Sequence, residues 1–408
     1  MRPRPRPVRV GSVFTSMYVA GGDENRYVQQ VRGRDPARVD LKLALVLRPE
    51  VVVEAHPGTL RRTLAAAGVE PFELGEVPFH ARPERSLPLR ALRLGWTAER
   101  VVRRLARWFV EHDIEVVDAH LSVGTALCVL AARLAGGLPV VATTYGPAHF
   151  ARPGYAALGR AVYAGVDTLV SDAAPKLDEV ESFMGRPLRT AVVPNGLEAP
   201  RPSRPAHDVR AELDLPADAL VLGQVARFVP FKGQDRLVDA MPALLARCPS
   251  LHLVLAGLVE SPDHLEALRA RARSLGVAAR VRAVPWPGPI GDLWQVVDVH
   301  AHPTRFDSSP LAILEAMSLG RPTVATRVGG IAELLDGGAC GHLLDADVDT
   351  RGLVDALTPL LVDPDRRRAL GARAQARWSA RHTPAQLAAG MEAVYAEVAA
   401  RHQQRRAA

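Results

Sequence analysis

Short apolar runs alternate along the chain with longer segments of helical periodicity, and this alternation is typical of parallel sheets covered by helices. In the first half, strands are predicted at residues 8–14, 43–47, 51–54, 114–117, 139–143, 168–171 and 191–193. In the second half, they are predicted at residues 220–226, 251–256, 281–284, 299–301 and 323–326. The pattern therefore indicates an α/β fold.

A segment rich in proline, residues 194–216, separates the two series of strands. Proline interrupts helices and central strands alike, because it lacks a backbone N–H and restricts the residue before it. We therefore expect a first domain at residues 1–196, a linker at 197–216, a second domain at 217–380 and a closing amphipathic helix at 381–408. Both domains are expected to be doubly wound and Rossmann-like, facing each other across a ligand cleft at the carboxyl ends of their strands.

Composition sets limits on the location of the protein. A chain of 408 residues with 48% hydrophobic content is long enough for two domains with separate cores. The amino-terminal MRPRPRPVRV lacks the apolar stretch of a secretory signal, and no apolar run approaches the length of a membrane span, so a cytoplasmic location is expected. Cys128, Cys248 and Cys340 lie singly among apolar neighbours, which predicts buried, unpaired thiols.

Positive charge is concentrated between residues 81 and 110, where eight arginines stand against two glutamates. No nucleic-acid-binding motif surrounds them, so no nucleic-acid partner is expected. Arginine is common throughout the chain, which favours a solvated arginine-rich helix as the explanation. Peripheral contact with an anionic membrane stays open as the alternative, and with it a membrane-associated location.

An acidic residue inside an apolar helix is the strongest chemical signal in the chain. Ser309 and Pro310 predict an N-cap followed by the first helical residue, and Gly320 predicts the helix end. Between them Glu315 is surrounded by apolar side chains, where a carboxylate costs several kcal/mol unless it has partners. Asp307 precedes this helix, whose amino terminus favours an anion. A ligand carrying both hydroxyls and phosphates suits this arrangement.

Two cations follow the first strand of the second domain, in the segment GQVARFVPFKGQD. Arg227 can hold phosphate oxygens with two parallel hydrogen bonds, and Lys232 can act as a point charge. Gly233 allows a close approach to the backbone. The loop alone is a weak signal, because solvated cations at strand ends are common. Together with the two acids, it predicts a pyrophosphate site.

These segments resemble retaining glycosyltransferases of the GT-B fold, in particular glycosyltransferase family 4. The matching segments occur in the order ARFVPFKGQDRLVDAM, LHLVLAG, DLWQVVDVHAHPT, SSPLAILEAMSLGRPTVAT with Asp307 directly before it, VGGIAELL and GHLLD. The first half is similar through SMYVAGGDENRYV, VVDAHLSVGTALCVLAARLAGGLPVVATTYG, VSDAAPKL and VVPNG. The resemblance implies two Rossmann-like domains and a last helix that returns to the first domain.

The resemblance also implies roles for the donor-binding residues. Glu315 matches the second acid of the E-x7-E pair, which binds the ribose hydroxyls of a nucleotide, and Asp307 matches the first, which contacts the transferred sugar. The family usually has glutamate at the first position, so this chain departs from it. Arg227 and Lys232 match the pair that holds the diphosphate. The segment that leads into the helix is expected to complete the donor site with Ser308, Ser309, Pro310 and Leu311.

On the acceptor side, the resemblance assigns Gly21 and Gly22 to the glycine loop that makes room for phosphate or acceptor. His120 matches a histidine at the mouth of the acceptor domain, where it is implied to be catalytic. The family histidine of T-x-H-G is Tyr145 here. Structural explanations stay open: Gly21 and Gly22 also fit a simple turn, and His120 also fits a buried rim residue.

The implied activity is transfer of a sugar from a nucleotide-diphosphate sugar to an acceptor hydroxyl, on a glycan, a lipid-linked molecule or a small natural product. Neither a cofactor nor a metal is expected; Asp345 and Asp347 form a superficial D-x-D pattern in a loop, which favours solvated acids. Two alternatives remain: a sugar-nucleotide epimerase of similar fold, and a non-catalytic subunit that binds a nucleotide sugar. The residues identify neither the base and sugar of the donor nor the acceptor.

Overall fold

The computed structural model describes residues 6–14, 22–46, 64–66, 68–74, 87–120, 122–148, 150–152 and 154–408, with the backbone alone at 87–97, 122 and 123. The chain divides into two compact units. The first domain comprises Met1–Pro194 together with Pro384–Ala408, and the second comprises Asn195–Thr383.

The first domain contains a parallel sheet of seven strands in the order β3-β2-β1-β4-β5-β6-β7. Its strands are β1 Val8–Phe14, β2 Val39–Leu45, β3 Pro71–Glu73, β4 Val116–His120, β5 Val140–Thr143, β6 Thr168–Ser171 and β7 Thr190–Val192. The described helices between them are α1 Gly22–Gly33, α2 Leu87–Glu111, α3 Ser122–Leu134, α4 Ala156–Ala164 and α5 Ala174–Met184. The order reverses direction next to β1, which is the doubly wound arrangement.

The second domain contains a parallel sheet of six strands in the order β10-β9-β8-β11-β12-β13. Its strands are β8 Leu220–Val225, β9 Leu251–Gly257, β10 Val281–Pro285, β11 Val299–His302, β12 Thr323–Thr326 and β13 His342–Leu344. Its helices are α6 Ala206–Glu212, α7 Gln234–Arg247, α8 Pro262–Ser274, α9 Ile290–Trp294, α10 Leu311–Ser318, α11 Ile331–Leu334, α12 Thr350–Val362 and α13 Pro364–Arg381. The loops that follow the neighbouring strands β8 and β11 carry Lys232 and Asp307.

The last helix, α14 Pro384–Ala407, returns to the first domain, as the resemblance implied. Its Met391, Tyr395 and Val398 are buried in one cluster with Val10 and Phe14 of β1. Helix α1 packs against it so closely that a Cβ on its last residue, Gly33, would lie 2.1 Å from the Pro384 carbonyl oxygen. The first sheet is therefore covered by a helix that follows the whole second domain in the chain.

The predicted α/β fold with two parallel sheets is confirmed, and the differences lie mainly at sheet edges. Strand β2 begins earlier than the predicted run 43–47, and the predicted strand 51–54 lies outside the described residues. Strands β3 and β13 were not predicted. Each is a three-residue edge strand that contains no fully buried residue, so no apolar run marks it.

The segment 197–216 differs from the predicted linker, because it is folded as part of the second domain. It contains α6, and Val209, Leu213 and Leu215 are buried in a cluster with Val221 and Trp294. Its prolines flank the short helix and leave the apolar residues free to pack.

Cys128, Cys248 and Cys340 are unpaired and buried, as predicted. Within the described part of the chain, no helix combines the length and apolar character needed to cross a membrane.

Candidate functional site

The loops after β8 and β11 meet at the carboxyl edge of the second sheet. Because β8 and β11 are parallel neighbours, their carboxyl ends emerge side by side. The Arg305 backbone N–H donates to the Phe231 carbonyl at 2.7 Å, and the Thr304 hydroxyl donates to the same oxygen at 2.9 Å. These bonds fix the loop that carries Lys232 against the loop that carries Asp307.

Lys232 and Asp307 form an ion pair at this edge, with Nζ and Oδ2 separated by 2.5 Å. The same Oδ2 lies 2.9 Å from His302 Nε2. The other carboxylate oxygen accepts the Ser308 backbone N–H at 3.2 Å. Lys232, Asp307 and His302 thus form a connected polar cluster at the end of two buried strands, and we refer to it as the Asp307 cluster.

The electrostatics of the Asp307 cluster keep the acid ionised. Burial by itself raises the pKa of Asp307, but the hydrogen bond and charge interaction with His302 and the Lys232 ammonium outweigh it, and the pKa falls to about 2. Burial lowers the pKa of His302, which favours the neutral ring. A neutral ring with its proton on Nε2 donates to Asp307, and the buried Nδ1 has no partner among the described residues.

Two glycines hold the backbone of the cluster in place. Gly233 has φ +72°, and a Cβ there would lie 2.1 Å from the Pro303 carbonyl oxygen. Gly329 has φ +52°, and a Cβ there would lie 2.1 Å from the carbonyl oxygen of Asp307. Close approach at Gly233, which the sequence suggested for a ligand, is therefore already made by the chain's own loop after β11.

Arg227 lies on the same loop but outside the Asp307 cluster. Its Nη1 is 2.5 Å from Glu260 Oε2, and both side chains are about half exposed. Its carbonyl accepts the Gln234 side-chain amide at 2.9 Å, which ties the loop to the start of α7. The guanidinium is therefore accessible to an anionic ligand that replaces Glu260.

Glu315 lies on α10, where Trp294 is its described hydrogen-bond donor, with Nε1 2.8 Å from Oε2. Burial raises the pKa of Glu315, and the indole N–H offsets only part of this. Neighbouring Ile313, Leu314 and Ala316 are fully buried. The acid is thus held in an apolar setting with capacity left to accept further donors.

The start of α10 differs by one residue from the prediction. The helix begins at Leu311, and Pro310, rather than Ser309, occupies the cap position with extended backbone angles. The Ser309 hydroxyl is buried without a partner in the described structure, while its carbonyl accepts the Asn195 amide at 3.0 Å. The Ser308 carbonyl accepts the Gly330 backbone N–H at 2.6 Å. Proline fixes φ near its helical value, so the chain can enter the helix without a side-chain cap.

In the first domain, His120 lies at the carboxyl end of β4 and is almost fully buried. Its Nδ1 is 3.2 Å from Asp23 Oδ1, and its Nε2 is 3.0 Å from Asp118 Oδ2. Burial by itself lowers the pKa of His120, but the two carboxylates outweigh it and raise the pKa to about 10. The ring also stacks on Phe14, with centroids 3.9 Å apart. Both ring nitrogens are therefore engaged within the protein.

Tyr145 takes part in the same buried network. Its hydroxyl donates to Asp23 Oδ1 at 2.6 Å, and Asp23 follows Gly22 at the start of α1. A Cβ at Gly22 would meet no atom of the described structure within 4 Å, so no steric need for glycine is visible there. Gly21 lies outside the described residues.

The site includes groups that the sequence pattern did not indicate. His302, Trp294 and Glu260 are the partners of Asp307, Glu315 and Arg227. His302 had a signal: in VHAH two histidines alternate on one face of β11 and end at the carboxyl edge. Glu260 and Trp294 come from other loops and helices, and only the fold brings them to their partners.

Metal-ligand geometry is not found in the described ranges, where no group of three or more His, Cys, Asp or Glu side chains could hold an ion. The expectation of a metal-independent site stays a prediction.

Comparison with known families gives two matches in the sequence. A family model described as glycosyl transferases group 1 matches residues 219–363, and one described as glycosyltransferase family 4 matches residues 49–201. The two matches fall in the second and first halves of the chain.

Curated relatives extend this similarity. The D-inositol 3-phosphate glycosyltransferase of Actinosynnema mirum is 35% identical over 52% of this chain and 53% of its own length. The protein of that name from Saccharomonospora viridis is 31% identical over 93% of this chain and 92% of its own. The GDP-mannose-dependent alpha-(1-6)-phosphatidylinositol monomannoside mannosyltransferase of Mycobacterium tuberculosis is 32% identical over 67% of this chain and 75% of its own length. The chain spans about half the length of the first relatives that it matches.

Solved structures share the fold at low identity. HepE from Anabaena, in complex with UDP and glucose, has a TM-score of 0.74 at 21% identity and is matched over 95% of this chain and 99% of its own. A glycosyltransferase from Rickettsia africae has a TM-score of 0.76 at 13% identity, over 96% and 98%. At these identities the similarity concerns the fold.

Proposed function

The chain belongs to the group 1 glycosyltransferases of family 4, and from this premise we propose that it transfers a sugar from a nucleotide-diphosphate sugar to an acceptor hydroxyl with retention of configuration. One observation carries the proposal. Lys232, a cation suited to phosphate, forms an ion pair with Asp307, an acid suited to sugar hydroxyls, at the carboxyl edge of the second sheet. Glu315 follows on the next helix, in an apolar setting that suits ribose hydroxyls.

Each group has a proposed role in binding the donor. Glu315 accepts hydrogen bonds from the ribose, and Asp307 accepts them from the transferred sugar. Arg227 and Lys232 hold the two phosphates, and the first backbone N–H groups of α10, after Pro310, face negative charge. Ionised acids are needed for both hydroxyl contacts, because only the carboxylate accepts from every hydroxyl.

Departure of the nucleoside diphosphate is the step that these groups stabilise. As the bond from the anomeric carbon to the phosphate oxygen breaks, both of its electrons go to the phosphate and negative charge grows there. In this proposal, Arg227 and Lys232 supply the positive charge that stabilises it. The acceptor oxygen then forms the new bond on the same face, and its proton passes to the departing phosphate. No protein nucleophile is required.

Donor binding must replace one ion pair and share a cation with another. The diphosphate competes with Glu260 for Arg227 and shares Lys232 with Asp307. The first pair is half exposed and is therefore weak, with a median contribution of about 0–1 kcal/mol. Arg227 is thus released at little cost. The buried Lys232 stays near Asp307, so that the cation that binds the phosphate also contacts the acid that binds the sugar.

The test is a titration of the protein with UDP, GDP, ADP and their sugar conjugates, followed by product analysis with acceptors that include D-inositol 3-phosphate. We expect one nucleoside diphosphate to bind, and the Glu315→Gln variant to bind it about tenfold or more weakly, because a buried hydrogen bond to a charged group is lost. The fold should be retained, since burial disfavours the charge that this variant removes.

Glu266→Gln is the matched control, because Glu266 is an exposed acid of the same domain that pairs with Arg269. Its donor affinity should equal that of the wild type. Absence of binding by every nucleotide would contradict the proposal. A product in which the sugar stays attached to its nucleotide would point to an epimerase instead.

A further inference from the structure

Three arginines converge on a cavity of about 470 Å³ in the second domain, away from the Asp307 cluster. The cavity is lined by residues from α6, from the turn before β8 and from the starts of β9 and β10. Its charged and titratable lining residues are Arg210, Asp214, His252, Arg280 and Arg282. We refer to it as the arginine cavity.

The arginine cavity lies at the amino edge of the sheet, opposite the proposed donor site. His252 is the second residue of β9, and Arg280 directly precedes β10. Arg227 and Asp307 follow the carboxyl ends of β8 and β11. A strand of seven residues, such as β9, is roughly 20 Å long, so the two regions are separated by the depth of the sheet.

Two of the three arginines have structural partners and the third does not. Arg282 donates to the carbonyls of Leu213 and Asp214 and pairs with the Asp214 carboxylate at 2.8 Å. Arg210 donates to the Pro216 carbonyl at 2.9 Å. Arg280 has neither a hydrogen-bond acceptor nor an acidic partner in the part of the chain that the structure describes, although its side chain lines the cavity.

A buried histidine is among the residues that line the cavity. His252 is 3% exposed, and its Nδ1 is 3.2 Å from the Ser250 carbonyl, so the neutral ring carries its proton there. Burial lowers the pKa of His252, and the charges of Arg280 and Arg282 lower it further, against the opposing effects of Ser250 and Asp214. The positive charges of Arg280 and Arg282 therefore act on the ring, and Nε2 of the neutral ring remains available as an acceptor.

We propose that the arginine cavity binds a phosphate-bearing small molecule, with Arg280 as its principal ligand. Three guanidinium groups face one carboxylate, which leaves an excess of two positive charges, and arginine matches phosphate geometry with paired hydrogen bonds. The volume is in the range of small-molecule sites. Burial is the main cause of the lowered pKa of His252, and the charges of Arg280 and Arg282 add to it; a bound phosphate offsets these charges, so anion binding raises the pKa of that ring.

The test is calorimetric titration of the full chain at low ionic strength with inorganic phosphate and with glucose 6-phosphate. We expect Arg280→Ala to weaken binding about tenfold, which corresponds to the loss of a hydrogen bond to a charged group. Arg273→Ala removes the same charge from an exposed position outside the cavity and should leave the affinity unchanged. Nucleoside diphosphate binding should be the same in all three proteins.

Lys232→Ala distinguishes the arginine cavity from the donor site, since phosphate bound at the donor site depends on Lys232. Binding that is lost in Lys232→Ala and kept in Arg280→Ala would overturn the proposal, as would the absence of binding both to the soluble phosphates and to vesicles of anionic phospholipid. A rise in the pKa of the His252 ring, followed by NMR as phosphate is added, supports it. Vesicles of anionic phospholipid form the last arm: Arg280-dependent binding to vesicles, and not to the soluble esters, assigns the phosphate to a lipid headgroup.

Discussion

At the scale of single residues, the contacts of Asp307 suit an acid one methylene shorter than the glutamate that the resemblance implied at this position. Both carboxylate oxygens are held, Oδ2 by Lys232 and His302, and Oδ1 by the Ser308 backbone. A glutamate would extend beyond these partners. One position that departs from the implied family pattern is therefore held by several local contacts, among them His302.

His120 provides a prediction about pH. Its ring should titrate near pH 10 instead of 6.5, because two buried carboxylates stabilise the imidazolium. A raised folded-state pKa means that the stabilising contribution is fully present below about pH 6.5 and is lost as the pH rises through about 10. NMR titration of the ring signal, assigned by its absence in His120→Gln, measures this. The difference in unfolding free energy between wild type and His120→Gln should shrink from pH 6 to pH 10.5.

A ring that titrates near its ordinary value would contradict this arrangement and favour the catalytic role that the resemblance implied for His120. The raised pKa instead favours a positioning role, with His120 and Tyr145 holding Asp23 at the start of α1.

The sequence predicts the acids and cations of the candidate site but not their partners. Lys232, Asp307 and Glu315 are recognisable in the sequence because charged side chains stand beside apolar strands or within an apolar helix. Trp294 and Glu260 have no such contrast with their surroundings in the sequence, and their roles depend on which loops the sheet order makes neighbours. Asp23, one of the two carboxylates that bind His120, is likewise 97 residues away from it.

At the scale of elements, the loops of the candidate site are fitted to one another through glycine. The turn at Gly329 passes so close to the Asp307 carbonyl that no side chain can be accommodated, and the next residue, Gly330, donates to Ser308. The segment VGG was visible in the sequence as part of the family-like segment VGGIAELL. Its contact with the acid-bearing loop was not, because that contact joins the ends of β11 and β12.

Gly329→Ala tests this fit. A methyl group at φ +52° would lie 2.1 Å from the Asp307 carbonyl oxygen, so the acid-bearing loop must move. We expect a loss of the proposed transferase activity of about a hundredfold, since misplacement of about 1 Å has effects of that size. Gly337→Ala is the control, because Gly337 also has positive φ, at +65°, and a methyl group there meets no described atom within 4 Å.

Both variants carry a similar backbone strain, of about 1–3 kcal/mol, which thermal unfolding measures. If Gly329→Ala and Gly337→Ala lose stability equally and both remain active, the loop contact at Gly329 is not important for activity.

At the scale of the whole molecule, the first domain depends on a helix that is distant in sequence. Tyr395 of α14 donates to Asp118 at 2.8 Å and accepts from Gln30 at 2.9 Å, so the last helix is joined to the His120 network. The Asp35 backbone N–H donates to Glu392 at 2.8 Å. The sequence predicted an amphipathic closing helix. Its hydrogen bonds could not be predicted, since they join residues more than 250 positions apart.

Tyr395→Phe should lower the unfolding free energy of the first domain by about 1–3 kcal/mol, because the buried Gln30 amide and Asp118 carboxylate each lose a partner. Urea denaturation followed by hydrogen exchange of β1 and β4 measures the effect. Tyr155→Phe, at a side chain that is 55% exposed, should leave the stability unchanged. Equal stability of Tyr395→Phe and the wild type would show that the hydroxyl is not needed to dock α14.

The return of α14 to the first domain has a consequence for synthesis on the ribosome. Residues 195–383 are translated, and can fold, before the helix that completes the earlier part of the chain exists. During that interval the apolar surface of β1 and α1 that later meets Met391, Tyr395 and Val398 lacks the cover that α14 provides. The first domain is therefore translated first but completed last. We expect the nascent protein to need a chaperone while its first domain still lacks α14.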